Sequence, residues 1–144
     1  MFLCSKVAHI IRRDIFEIHK TEFSGEFELQ CQERSVPQSL LSLIGMITAG
    51  PNINTKSSDD IENQAALSIS QLIRYNSTIR RRRSTGVIFH SKDREPPLPV
   101  YLGLLLHARK KGLVDKLCDL GLSISYNRVL QISTEMGNNV CAQF

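Results

Sequence analysis

The densest chemistry in this 144-residue sequence is basic and lies in its middle. Arg80, Arg81, Arg82 and Arg83 form an unbroken run, with Arg74 before it and Lys92, Arg94, Arg109, Lys110 and Lys111 after it. Residues 74 to 111 hold 10 basic and 2 acidic side chains, against 6 and 9 in residues 1 to 73 and 2 and 3 in residues 112 to 144. The formal net charge of +4 therefore belongs to one stretch of chain. Guanidinium forks bind phosphate oxygens in pairs, and each phosphate they neutralise releases a counterion. Contact with DNA or RNA follows, or recognition by a nuclear import receptor, which reads short basic runs. The competing reading is a solvated helix end and connector, since no aromatic residues interleave the run. Arg81-Arg82-Arg83-Ser84 also has the basic-before-serine pattern of a kinase substrate. A phosphate on Ser84 would add about −1.5 to −2 charge beside the arginines and weaken phosphate binding.

A second candidate spans Leu113 to Met136, a short helix, a glycine-containing turn and another helix, the outline of a helix-turn-helix. In that motif the second helix enters the major groove, and Arg128 and Gln131 would be the readers, for guanine and adenine respectively. Against it, Asp115, Asp119 and Glu135 outnumber Lys116 and Arg128, whereas a groove binder should not be net acidic. An αα-hairpin buried through its leucines accounts for the same pattern.

Other chemistries lack their residues. Cys4, Cys31, Cys118 and Cys141 stand far apart, as do His9, His19, His90 and His107, so no metal-ligand spacing is written, and the cysteines read as free thiols. There is no glycine-rich phosphate loop, Gly-x-Ser-x-Gly elbow or His-Glu-x-x-His. Asp59-Asp60 suits a helix start better than a metal pair, and His107 reads as a helix residue rather than a general base. No catalytic residue, metal or cofactor is expected. The first twenty residues contain no signal-peptide apolar core, and the longest apolar stretch, Leu40 to Ala49, is about half of the roughly 20 residues needed to span a membrane. An intracellular place, nucleus or cytoplasm, without membrane attachment is expected. The Asn76-Ser77-Thr78 sequon would matter only outside the cytosol.

These residues must be carried by elements, and the periodicity is mainly helical. Val7, Ile10, Ile11, Ile15 and Ile18 repeat at helical steps. Glu26 to Cys31 alternates polar and apolar, which suggests a short strand or extended connector. Ser35 and Pro37 open a helix with body Leu40 to Ile47, apolar nearly all round and hence central, ending at Gly50-Pro51. Asp59 and Asp60 begin a helix whose apolar face is Ile61, Ala65, Ile69, Leu72 and Ile73. Val87-Ile88-Phe89 is β-prone, within a charged, proline-rich connector. Pro99 opens an apolar helix to Ala108, whose C-terminal end Arg109-Lys110-Lys111 would complement and Gly112 would leave. A short helix from Leu113 ends at Gly121, and Ser123 or Ser125 caps a last helix with Tyr126, Val129, Leu130 and Ile132 inward. The segment after Asn139 reads as the start of another packing element. The expected architecture is mainly α, an irregular domain of five or six helices with at most one short β-hairpin or two short strands. It comprises an N-terminal helical part (1–79), a basic connector (80–97) and a C-terminal helical hairpin (98–144).

Four runs carry a family resemblance: Val36-Pro37-Gln38-Ser39-Leu40-Leu41 leading to Gly50-Pro51; Asn63-Gln64-Ala65-Ala66-Leu67-Ser68-Ile69-Ser70-Gln71-Leu72; Pro97-Leu98-Pro99-Val100-Tyr101-Leu102-Gly103-Leu104; and Leu120 through Tyr126-Asn127-Arg128 to Leu130. Over residues 35 to 144 the chain resembles an uncharacterised family of open reading frames, present in many copies in invertebrate and fish genomes, that look like parts of mobile elements. The resemblance implies a mobile-element origin and a chain that is a fragment of a longer protein, but assigns no site residues. In that family an aspartate often follows the tyrosine where this sequence has Asn127. The function expected from residues and resemblance together is a nucleic-acid-associated, non-catalytic accessory region. The alternatives are a helical protein-interaction or structural module and a fragment of a transposase-like enzyme lacking its active site.

Overall fold

The computed structural model describes residues 1–18, 23, 25–50, 60–81, 88–90 and 95–144, with backbone alone for 60–63, 79–81 and 88–90. Among these residues the chain forms seven helices and one two-stranded antiparallel hairpin, so the fold is mainly α. No helix among them is long and apolar enough to cross a membrane.

Helix α1 (Phe2–Glu17) follows the isoleucine periodicity, yet only Ile15 is buried. It is fastened near its C-terminal end, where the Ser39 hydroxyl donates to Asp14 Oδ2 at 2.7 Å. That bond, and then the Arg13 guanidinium, hold the Asp14 carboxyl below its ordinary pKa. A lowered folded pKa contributes stability above the unfolded value that is lost as pH falls through the folded one. Ser39→Ala is therefore expected to raise the Asp14 pKa toward the ordinary value, an effect that an NMR titration of its carboxyl would read.

The alternation over Glu26 to Cys31 does not give a strand. Residues Leu29–Arg34 form the short helix α2, in which Gln32 turns inward and Leu29 outward. The buried Gln32 amide donates to Phe27 O at 3.2 Å and its oxygen accepts from Gln64 and Gln71 at 3.0 and 3.1 Å. A residue with three such bonds in the interior decides the local conformation over a weak apolar alternation. Ser35 does not cap the next helix either. It closes α2, its N–H and hydroxyl both donating to Gln32 O, and Pro37 takes the N-cap of α3 (Gln38–Ala49). Gly50 ends α3 at φ +94°, a conformation that favours glycine. Leu40 and Ile44 are buried, but Met46 and Ile47 face outward, so α3 is covered along one stripe and is less central than its composition suggests.

Helix α4 (Asp60–Ser77) is the axis of the fold, packed on α3 on one side and on α5 (Pro97–His107) on the other. The face expected to be buried is only partly so, with Leu72 half-buried and Ile73 packed against Ile15, Leu40 and Ile44. Ala65 and Ile69 are exposed, and the interior takes Ala66, Leu67, Ser70, Gln71, Arg74, Tyr75 and Thr78. Each of these polar members makes at least one hydrogen bond: Ser70 to Ala66 O, Thr78 to Tyr75 O, Arg74 to Ser35 O, and the Tyr75 hydroxyl to Ser123 O at 3.2 Å. Burial pushes the Tyr75 phenol pKa upward, which keeps it a neutral donor.

The start of α5 shows the same economy. Pro97 and Pro99 lack N–H groups, so of its first three residues only Leu98 has a donor needing a partner. The Gln71 oxygen accepts it at 2.9 Å. Arg109 and Lys110 do follow the end of this helix, with Arg109 N donating to Leu106 O, but Gly112 is not its exit. The helix stops at His107, and α6 (Lys111–Asp119) begins at once with Gly112 inside its first turn. Ser125 caps α7 (Tyr126–Ala142), its oxygen accepting from Arg128 N at 3.3 Å, as expected of one of the two serines. Val129 and Ile132 are buried, whereas Leu130 points out, and the residues after Asn139 continue α7.

Two apolar clusters result. Ile15, Leu40, Ile44 and Ala66 join α1, α3 and α4. Tyr75, Val100, Val114, Ile124, Val129 and Ile132 join α4 to α5, α6 and α7. Gly103 sets the closeness of α5 to α7, because a Cβ there would lie 2.8 Å from both Ile124 Cγ1 and Val129 Cγ2. Gly103→Ala is expected to cost about 1–3 kcal/mol through overpacking, despite the better helix propensity of alanine, as read by urea denaturation.

Candidate nucleic-acid interface

Arg74, at the head of the basic stretch, does not belong to the surface. It is fully buried, with its guanidinium donating to the Ser35 carbonyl. The arginine run begins five residues after the buried Tyr75, where α4 gives way to strand β1 (Ile79–Arg81). β1 pairs antiparallel with β2 (Ile88–His90), with Arg80 opposite Phe89 and Arg81 opposite Ile88. Within the β-prone run, Ile88 and Phe89 thus lie in a strand, Val87 falls outside the described residues, and the partner strand lies in what the sequence presents as a charge cluster. Arg82, Arg83, Ser84, Lys92 and Arg94 lie outside the described residues.

Arg109, Lys110 and Lys111 are all exposed in the α5–α6 junction. The Lys111 ammonium rests 5.6 Å from the centroid of the Tyr126 ring, a cation–π distance. His107 precedes them with Nδ1 2.7 Å from Leu104 O, as a helix-terminal residue.

The turn between α6 and α7 touches both the end of α4, ahead of Arg80, and Lys111. At its start Gly121, with φ +73°, offers its carbonyl to Asn76 Nδ2 at 3.0 Å, and any side chain there would collide with Asn76. In its middle Ser123 O receives the Tyr75 hydroxyl and Ile124 N donates to Pro99 O at 3.2 Å. At its end Tyr126 meets Lys111. One short segment is thereby fixed to the end of α4, from which the Arg80-Arg81 strand departs, and to the first residue of α6.

The helix-turn-helix readers occupy a different setting. Arg128 Nε lies 3.2 and 3.1 Å from the two Glu95 carboxylate oxygens, with the Glu95 side chain 5% and the Arg128 side chain 17% exposed. Arg128 Nη1 also donates to Gln131 Oε1 at 3.4 Å. For Arg128 to reach a base edge this pair would have to open, leaving a buried carboxylate, at a cost of about 3–5 kcal/mol. Gln131 is exposed. The Glu95–Arg128 pair was not legible in the sequence, since 33 residues separate its members and neither stands in a motif.

Among the described residues no group of three His, Cys, Asp or Glu side chains is placed to hold a metal ion, and the four cysteines are free thiols. What the arrangement offers chemically is cationic hydrogen-bond donors on a mainly helical scaffold. No protein-family model, curated protein or solved structure matches the chain.

Proposed function

We propose that this chain is a nucleic-acid-associated, non-catalytic accessory region of a mobile-element-derived protein, holding DNA or RNA through its phosphates. The contacts come from Arg80 to Arg83 and from Arg109, Lys110 and Lys111, with Lys92 and Arg94 between them in sequence. The observation that carries this reading is the turn Gly121 to Tyr126, which ties the root of the arginine strand and the exposed Arg109–Lys111 junction to one segment. Two cationic clusters so linked can reach one nucleic acid. Arg74 and Glu95, both buried, take no part in this surface charge. The arginine run also suits an import receptor, consistent with a nuclear place of action.

The test is fluorescence anisotropy with labelled duplex and single-stranded DNA and RNA at low and moderate salt. Saturable binding at low salt that weakens steeply at the higher concentration is expected, because released counterions oppose binding. Phosphate contact without base reading also predicts similar affinity for unrelated sequences of one duplex type. Absence of binding at low salt would contradict the proposal.

A further inference from the structure

A cavity of about 630 Å³ opens between α1, α3 and α4, away from the basic surface. Its walls are nearly all apolar, with Val7, Ile11, Leu43, Ile44 and Ile73 among them. Its origin is the way α1 is attached. The helix is fixed at Asp14 and Ile15, whereas every residue from Met1 to Ile10 is exposed, so its N-terminal half stands off α3 and α4 and leaves a wedge. The volume falls in the roughly 300–1,000 Å³ range of small-molecule sites.

One cation lies in the lining. Arg12 shares the inward face of α1 with Ala8, Ile11 and Ile15, and its guanidinium is held 5.2 Å from the Phe16 ring centroid. Arg13, one residue on, is engaged by Asp14 and Glu17, but among the described residues no carboxylate pairs with Arg12. An apolar slot with a single guanidinium matches an amphiphile of one hydrocarbon chain and one carboxylate. The chain would be removed from water along the wedge while Arg12 takes both carboxylate oxygens.

We infer that the wedge between α1, α3 and α4 is a binding site for a single-chain apolar carboxylate of the fatty-acid class, with Arg12 as its headgroup partner.

Titrating the full chain with dansyl-labelled undecanoic acid should give a saturable rise in fluorescence at one probe per chain. Dodecanoate should displace the probe, and dodecanol should do so at least several-fold less well. Arg12→Gln should weaken binding by about tenfold or more, the scale of one charge-assisted contact. Ala8→Phe, which fills the wedge from an exposed helix position, should abolish binding while circular dichroism stays helical. The inference is overturned by no fluorescence gain, by equal displacement with the alcohol, or by undiminished binding to Ala8→Phe. Sedimentation covers the rival occupant: a dimer that ignores dodecanoate and dissociates in Ala8→Phe would assign the wedge to a second copy, and so overturn the inference.

Discussion

Replacing Arg80 to Arg83 together with Arg109, Lys110 and Lys111 by alanine is expected to remove measurable binding to duplex DNA under conditions where the parent chain saturates. Each phosphate neutralised contributes through the release of condensed counterions, and a protein making 6–10 such contacts loses about 10³–10⁵ in affinity between 50 and 200 mM salt. Removing seven cations should act on the same scale at low salt, a decrease of at least about a thousandfold. Stability should barely change, because Arg109, Lys110 and Lys111 are exposed and surface substitutions are usually worth within about 0.5 kcal/mol. Lys111 over Tyr126 adds a contact worth about 0.5–1 kcal/mol at an exposed site. Thermal melts of parent and variant, run beside the anisotropy titrations, separate a lost surface from a lost fold.

The largest loss of stability is expected from Glu95→Ala. The Glu95 carboxylate is 5% exposed and both of its oxygens face Arg128 Nε, so the substitution leaves a largely covered guanidinium without its counter-charge. Breaking a buried pair from one side costs about 3–5 kcal/mol. For a chain of this length that is a fall in Tm on the order of 10 °C. Replacing both residues at once, as Glu95→Met with Arg128→Met, should restore most of the loss, since the desolvation cost of both charges disappears with their attraction. Chemical denaturation of the two single variants and the double variant closes the cycle. Equal losses in single and double variants would show that packing around α7, and not the ion pair, is what matters at these positions.

The helices with a strong apolar period and a clear stop are the parts legible in the sequence. α1, α3 and α7 lie where isoleucine spacing, Gly50 and Ser125 put them. What the sequence hid is the polar interior. α4 buries Gln71 and Arg74 and exposes Ile69, and a hydrophobic period cannot foresee this because the deciding partners, Leu98 N and Ser35 O, are tens of residues away. Gln32 turned an apparent strand into α2 for the same reason. The basic stretch was visible as charge. Its division was not, because Arg74 and Arg80 look equivalent along the chain until one is buried with its guanidinium on Ser35 O and the other set on a strand. The tie through Gly121 to Tyr126 depends on Asn76, 45 residues before its partner.

The central claim is that both basic clusters engage phosphates on the same nucleic acid, and the salt dependence of binding counts those contacts. With seven phosphates met on duplex DNA, a plot of log K against log salt should have a slope of about −6. Alanines at Arg80 to Arg83 alone should make it shallower by about 3.6, and alanines at Arg109, Lys110 and Lys111 alone by about 2.7, each with weaker binding. A slope near zero in the parent chain, or one that neither set of substitutions changes, would contradict the account.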